Sequence, residues 1–81
     1  MGKKPIEAFT SNTILRSAML VRGEKQVSLS SKMGIQQASL SGNLNRTRMG
    51  LDVFVKILDV MDYDVVVIDR TTGEEKWKVA K

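Results

Sequence analysis

The run from Gln26 to Arg46, QVSLSSKMGIQQASLSGNLNR, constrains the fold more than any other stretch of the chain. Gly34 stands between two segments that each repeat apolar residues at i, i+4: Leu29 and Met33 before it, Leu40 and Leu44 after it. That spacing places each pair on one side of a helix. Gly34 follows Met33 directly, where a helix C-terminus favours a residue able to take positive φ. The pattern therefore predicts two short helices meeting at a corner, with Ile35 plugging the corner and Gln36 opening the second helix. Gln37, Ala38, Ser41, Gly42 and Asn45 are expected on the outward side of that second helix, opposite Leu40 and Leu44. A surface of amides, hydroxyls and small residues, free of carboxylates, suits a groove lined by base edges and phosphates. The same spacing also fits a plain αα-hairpin with no ligand.

The flanking residues supply the rest of a core. A first helix is predicted from about Asn12 to Arg22, capped by Ser11 or Asn12 and ended by Gly23. Ile14, Leu15, Ala18, Met19 and Val21 form its apolar stripe, and Arg16 and Arg22 lie outside it. After a loop over Thr47-Arg48-Met49-Gly50, a fourth helix runs from about Leu51 to Met61 with Gly50 at its N-cap. Its Phe54, Ile57, Leu58 and Met61 recur at i, i+3, i+4, i+7 and close the core. Met19, Met33, Met49 and Met61 read as adaptable core filler. Residues 1–10 form an arm. Either Pro5 opens a short helical turn through Ile6 and Phe9, with Phe9 sealing the core edge, or the arm is disordered.

Beyond Asp62-Tyr63-Asp64 the period changes. Val65-Val66-Val67-Ile68 is a β-branched run, and Glu74 to Val79 alternates, with Trp77 and Val79 against Lys76 and Lys78. With Arg70-Thr71-Thr72-Gly73 between them, the two segments predict a β-hairpin. A two-residue turn at Thr72-Gly73 would pair Asp69 with Lys76 and Ile68 with Trp77. A three-residue turn with a glycine bulge would pair Val67 with Trp77 and set Asp69 against Glu75. Charge favours the first register and the Thr-Thr-Gly sequence the second, which is preferred. In both, the first strand is apolar on two faces. One face is expected to pack on the helices. The other needs cover, because an isolated hairpin is marginal in water, and a second copy of the chain is the simplest cover.

Residues 26–46 resemble the helix-turn-helix of the phage Cro/repressor (XRE-like) family. Leu29, Ser30, Met33, Gly34, Ile35 and Leu40 fall where that family has its leucine, small residue, second apolar residue, turn glycine, turn hydrophobe and recognition-helix anchor. The likeness extends over roughly residues 12–63, and Leu40-Ser41 with Leu44-Asn45-Arg46 is similar to small regulators of phages and Gram-positive bacteria. Three positions depart from the pattern. Ser30 replaces the usual alanine, Lys25 stands where an N-capping serine or threonine is common, and Gly42 interrupts the recognition helix at about 1 kcal/mol relative to alanine. The resemblance implies a transcriptional repressor that occupies an operator overlapping a promoter and excludes polymerase.

Charge points the same way. The net charge of the 81 residues is +4, but residues 1–51 carry +6 and residues 52–81 carry −2, so the basic excess coincides with the candidate DNA-binding unit. The chain lacks cysteine and histidine, which excludes zinc fingers, thiol nucleophiles and imidazole acid/base chemistry. Asp59, Asp62 and Asp64 cluster around a helix end without a nucleophile or further ligand, and read as a solvated turn. Gly42 and Gly50 are not followed by the Gly-Lys-Ser/Thr of a phosphate loop. No apolar run reaches the length of a membrane span, and Met1-Gly2-Lys3-Lys4-Pro5 lacks the apolar stretch of a signal peptide.

These readings converge on an α+β domain spanning residues 1–81: a flexible arm (1–10), a four-helix helix-turn-helix core (12–61) and a C-terminal β-hairpin (64–80). The expected function is sequence-specific binding of double-stranded DNA as a cytoplasmic homodimer. No enzymatic activity, cofactor, metal, membrane or small-molecule substrate is expected. Gln36, Gln37, Ala38 and Ser41 are the base-reading candidates, since glutamine meets adenine bidentately and alanine meets a thymine methyl. Lys25, Gln26, Asn43, Arg46 and Arg48 are the phosphate candidates. Val65, Val66, Val67, Ile68 and Trp77 are the dimerisation candidates. The competing class is a protein-interaction module on the same scaffold, antitoxin-like or an inhibitor of another regulator, recruiting its partner by strand-edge pairing.

Overall fold

A computed structural model describes residues 7–46 and 48–80; the expected turn through Pro5 and Ile6 lies outside them. The fold is α+β. Four helices, α1 (Ser11–Arg22), α2 (Gln26–Met33), α3 (Gln37–Leu44) and α4 (Leu51–Val60), precede an antiparallel hairpin of β1 (Val66–Ile68) and β2 (Glu75–Lys78). Leu15, Ala18 and Met19 of α1, Leu29 of α2, Leu40 and Leu44 of α3, and Ile57 and Leu58 of α4 make one buried cluster with Met61. Met33, Met49 and Phe54 pack against it, partly buried.

Gly23 and Gly34 end α1 and α2 in the left-handed region, at φ 67° and 70°. At Gly34 the Ile35 N–H returns to the Ser30 carbonyl at 3.1 Å and the Gly34 N–H to that of Ser31 at 3.2 Å. The backbone itself thus closes the corner, and the Ile35 side chain, 37% exposed, does not plug it as expected. The α1 cap also differs. Thr10 holds the N-cap position without a side-chain cap bond. Of the two expected caps, Ser11 accepts the Met49 N–H at 3.2 Å, and Asn12 Oδ1, from inside the first turn, accepts the Thr13 N–H at 2.9 Å and the Thr10 hydroxyl at 2.6 Å. Val21 is 72% exposed, because two residues beyond Met19 the helix has turned roughly 200° away from the core. Phe9, 55% exposed, does not seal the core edge.

Two helices borrow a cation at their C-termini. Neither α3 nor α4 has a basic residue in its last turn, although positive charge there is favourable. Arg16 of α1 donates through Nη2 to the Leu44 carbonyl at 3.2 Å and to Asn45 Oδ1 at 3.0 Å. Six residues further along α1, Arg22 donates through Nε to the Met61 carbonyl at 3.0 Å, with its guanidinium 4.2 Å from the Tyr63 ring centroid. The chain leaves α4 through Asp62, a non-glycine residue at φ 64°.

The hairpin departs most from expectation. Neither strand makes a close backbone approach to a helix, although Lys78 of β2 shares a cleft with Val55 and Asp59 of α4. Val65, just before β1, is the last residue of the first apolar run to reach the helical core, and the molecule measures 45 × 22 × 21 Å. The turn holds four residues, Arg70 to Gly73, closed by Asp69 N–H to the Glu74 carbonyl at 2.9 Å and Gly73 N–H to the Asp69 carbonyl at 2.7 Å. Asp69 Oδ1 accepts the Thr71 N–H at 2.9 Å, an Asx turn that neither shorter loop would contain. Val67 pairs with Trp77, as the bulged register required, but Ile68 pairs with Glu75. The extra residue is therefore Lys76, inside β2, and not the turn glycine.

Candidate nucleic-acid interface

Leu40 and Leu44 are fully buried and anchor α3 to the core. At 100° per residue, the side of α3 turned farthest from them is the ridge Ala38, Gly42, Asn45. Ala38, Gly42 and Asn45 are all exposed. Ser39 flanks that ridge and is exposed too; it and Asn45 are absent from the base-reading set above, although a helical wheel drawn from the two leucines finds both. Ser41, on the other flank, is half-buried.

The two glutamines need a correction. Gln37 precedes Leu40 by three residues and Leu44 by seven, so it lies on the buried side of the wheel and not opposite it. It is exposed because it occupies the first turn, beyond the end of the core. Gln36 is the N-cap by backbone position, its carbonyl accepting the Ser39 and Leu40 N–H groups at 3.0 and 3.2 Å. Its side chain makes no cap bond. Both amides stand at the N-terminal end of α3 with no side-chain partner among the described residues.

The basic residues divide into two groups. Arg16 and Arg22 serve the helix ends, and Lys32 pairs with Glu24 at 2.8 Å. Lys25, Arg46 and Arg48 are exposed and have no ion-pair partner among the described residues. Lys25 holds the N-cap of α2, and Arg46 and Arg48 follow α3. Gln26 and Asn43 are half-buried, so they present less of their amides than the arginines present of their guanidinium groups.

Glu24 lies one residue before the α2 cap. The Lys32 ammonium bonded to it, then the Ser28 hydroxyl, hold its carboxyl below the usual range, with partial burial opposing them. Ser28 Oγ also accepts the Lys25 N–H at 3.2 Å, one half of a capping box. Lys25's own ammonium has no lone pair to supply the other half. Glu24, Ser28 and Lys32 thus form an i, i+4, i+8 ladder that neutralises the carboxylate where α2 begins.

At the far end of the chain, Val67 (47%) and Trp77 (69%) are exposed together, a cross-strand pair on one face of the hairpin. Ile68 is exposed as well, Val66 is half-buried, and Val65 is partly buried against the helical core. Among the described residues no three His, Cys, Asp or Glu side chains converge on a metal position, and no helix is long and apolar enough to cross a membrane. No protein-family model, curated protein or solved structure matches the chain.

Proposed function

We propose that this chain binds double-stranded DNA sequence-specifically, as a homodimer, and acts as a transcriptional repressor. The observation that carries the reading is the outward side of α3. Its exposed residues are amides, hydroxyls and small side chains without an acid; exposed Arg46 and Arg48 follow α3 in the chain and exposed Lys25 holds the N-cap of α2, all three without an ion-pair partner among the described residues. Cations that touch phosphates position such a helix, and polar side chains at its N-terminal end reach base edges in the major groove. Gln36 and Gln37 offer donor and acceptor together, the complement of adenine. Ala38 is placed for a thymine methyl, and Ser39 and Ser41 flank it. Repression follows if the operator overlaps a promoter and the bound protein excludes polymerase.

Selection of bound duplexes from a random pool tests this reading. A palindromic consensus with two half-sites, bound with an affinity that falls steeply with salt, is the expected result. Recovery of no sequence preference at any salt concentration would defeat it. The exposed pair Val67 and Trp77 also favours a second reading, a module that recruits another protein through the hairpin. Stoichiometric binding to a protein, with salt-insensitive and negligible binding to DNA, is the result that would select it.

A further inference from the structure

The chain turns from α4 toward the hairpin at Asp62. The Tyr63 N–H bonds the Leu58 carbonyl at 2.9 Å and the Asp62 N–H the Asp59 carbonyl at 3.0 Å, the paired bonds of a Schellman ending. The left-handed position of that ending, usually glycine, is filled by Asp62 at φ 64°. An aspartate tolerates this region without being confined to it. The Met61 and Asp62 carbonyls both go to Arg22, Nε donating to Met61 at 3.0 Å and Nη2 to Asp62 at 3.4 Å. These carbonyls belong to the peptides on either side of Asp62, so the φ and ψ of that one residue set their relative direction. A guanidinium holds its donors in a rigid planar fork. Spanning both carbonyls, it fixes both angles together. The same guanidinium lies 4.2 Å from the Tyr63 ring centroid, within cation–π range, and Tyr63 packs partly buried against the core.

Among the described residues, few other contacts orient the hairpin. Val65 is partly buried against the core, and Lys78 shares a cleft with Val55 and Asp59. Neither strand approaches a helix backbone closely, and the molecule is 45 Å long against 22 and 21 Å across. A rotation at Asp62 therefore swings the far end of the hairpin while leaving the buried cluster of the helices intact. We infer that Arg22 is a positioning residue. Its fork sets the direction in which the hairpin leaves the helical core, and so the separation of the two α3 helices when two copies bind DNA. The second half rests on the proposed homodimer and on the hairpin as its contact; the first half does not. A cation that served only the C-terminal end of the α4 dipole would need charge alone, and lysine would supply it.

Residual dipolar couplings of the full-length protein test the fork, comparing Arg22→Lys, Arg22→Met and Asp62→Gly with the unsubstituted chain. Lysine keeps the charge but loses the fork. Glycine frees the angles at position 62, leaves the fork in place and favours the turn, so this variant folds even if an Arg22 variant does not. The expected result is one common alignment of helices and hairpin in the unsubstituted chain and in Asp62→Gly. In both Arg22 variants the two alignments should differ in magnitude by about a third or more, with the cross-strand contacts retained. A common alignment in folded Arg22→Lys overturns the proposal, as do separate alignments in the unsubstituted chain or in Asp62→Gly. On palindromic operators whose half-sites are moved by one base pair, the unsubstituted chain should lose about tenfold in affinity and Arg22→Lys less than about threefold. Equal losses overturn the link to helix separation, whatever the couplings show. A chain that binds no duplex defeats the proposed function and the second half with it, and the couplings still decide the first.

Discussion

Replacing Gly42 by alanine separates the folding role of α3 from its proposed role in the groove, because the two should change in opposite directions. Gly42 lies inside α3 and is not among the glycines with positive φ. A Cβ built there meets nothing within 4 Å. Alanine therefore adds no clash and removes the backbone-entropy cost of glycine, about 0.5–1 kcal/mol in a helix. For a domain of this size that gain should raise the melting temperature by roughly 2–8 °C. The same methyl projects from the ridge Ala38, Gly42, Asn45. If that ridge enters the major groove, the added methyl holds the backbone away from the base edges, and operator affinity should fall about tenfold, or ~1.4 kcal/mol. Calorimetric or circular-dichroism melting gives the first quantity, and titration of a fluorescent operator at fixed salt gives the second. A lower melting temperature would refute the described geometry of α3. Higher stability with unchanged operator affinity would refute the docking of this ridge.

Gln37→Ala should lose roughly 1–3 kcal/mol on the preferred operator and much less on one altered at the contacted base pair, with folding unchanged; equal losses on both operators in a two-protein, two-operator cycle would remove Gln37 from the base-reading set. Arg46→Ala and Arg48→Ala should each weaken binding to all sequences alike and flatten the log–log salt slope by about one unit; a residue whose loss leaves the slope intact makes no phosphate contact. Glu24→Gln should destabilise the fold at neutral pH. The folded Glu24 pKa is depressed, so its contribution is present above the unfolded value of about 4.3 and disappears as pH falls through the lower folded value. Urea denaturation of both proteins should therefore converge in acid, and a stability gap that persists or widens there would contradict the Lys32 and Ser28 bonding.

Helix existence and the core were legible because both depend on local spacing. Leu29 with Met33, Leu40 with Leu44, and Phe54 to Met61 each repeat at the helical period, and Gly23 and Gly34 stand where positive φ is needed. The exposed, uncharged side of α3 was readable for the same reason, although the wheel, read strictly, selects Ala38, Gly42 and Asn45 and puts Gln37 on the other side. Gln37 is exposed only because the core ends before it, a fact of tertiary packing that periodicity does not contain. Which cations remain available was also decided in three dimensions. Arg16 and Arg22 look like surface charge along the chain, yet they lie 28 and 39 residues from the carbonyls they cap, and no local pattern joins partners so distant. The hairpin shows the division most clearly. Alternation and β-branching predict its strands, whereas its four-residue turn depends on the Asp69 side chain, and its bulge on how β2 fits β1. That the strands stand clear of the helix backbones follows from where α4 ends and how the chain leaves Asp62. A strand's sequence states that it has apolar faces; the placement of every other element decides which of them are covered.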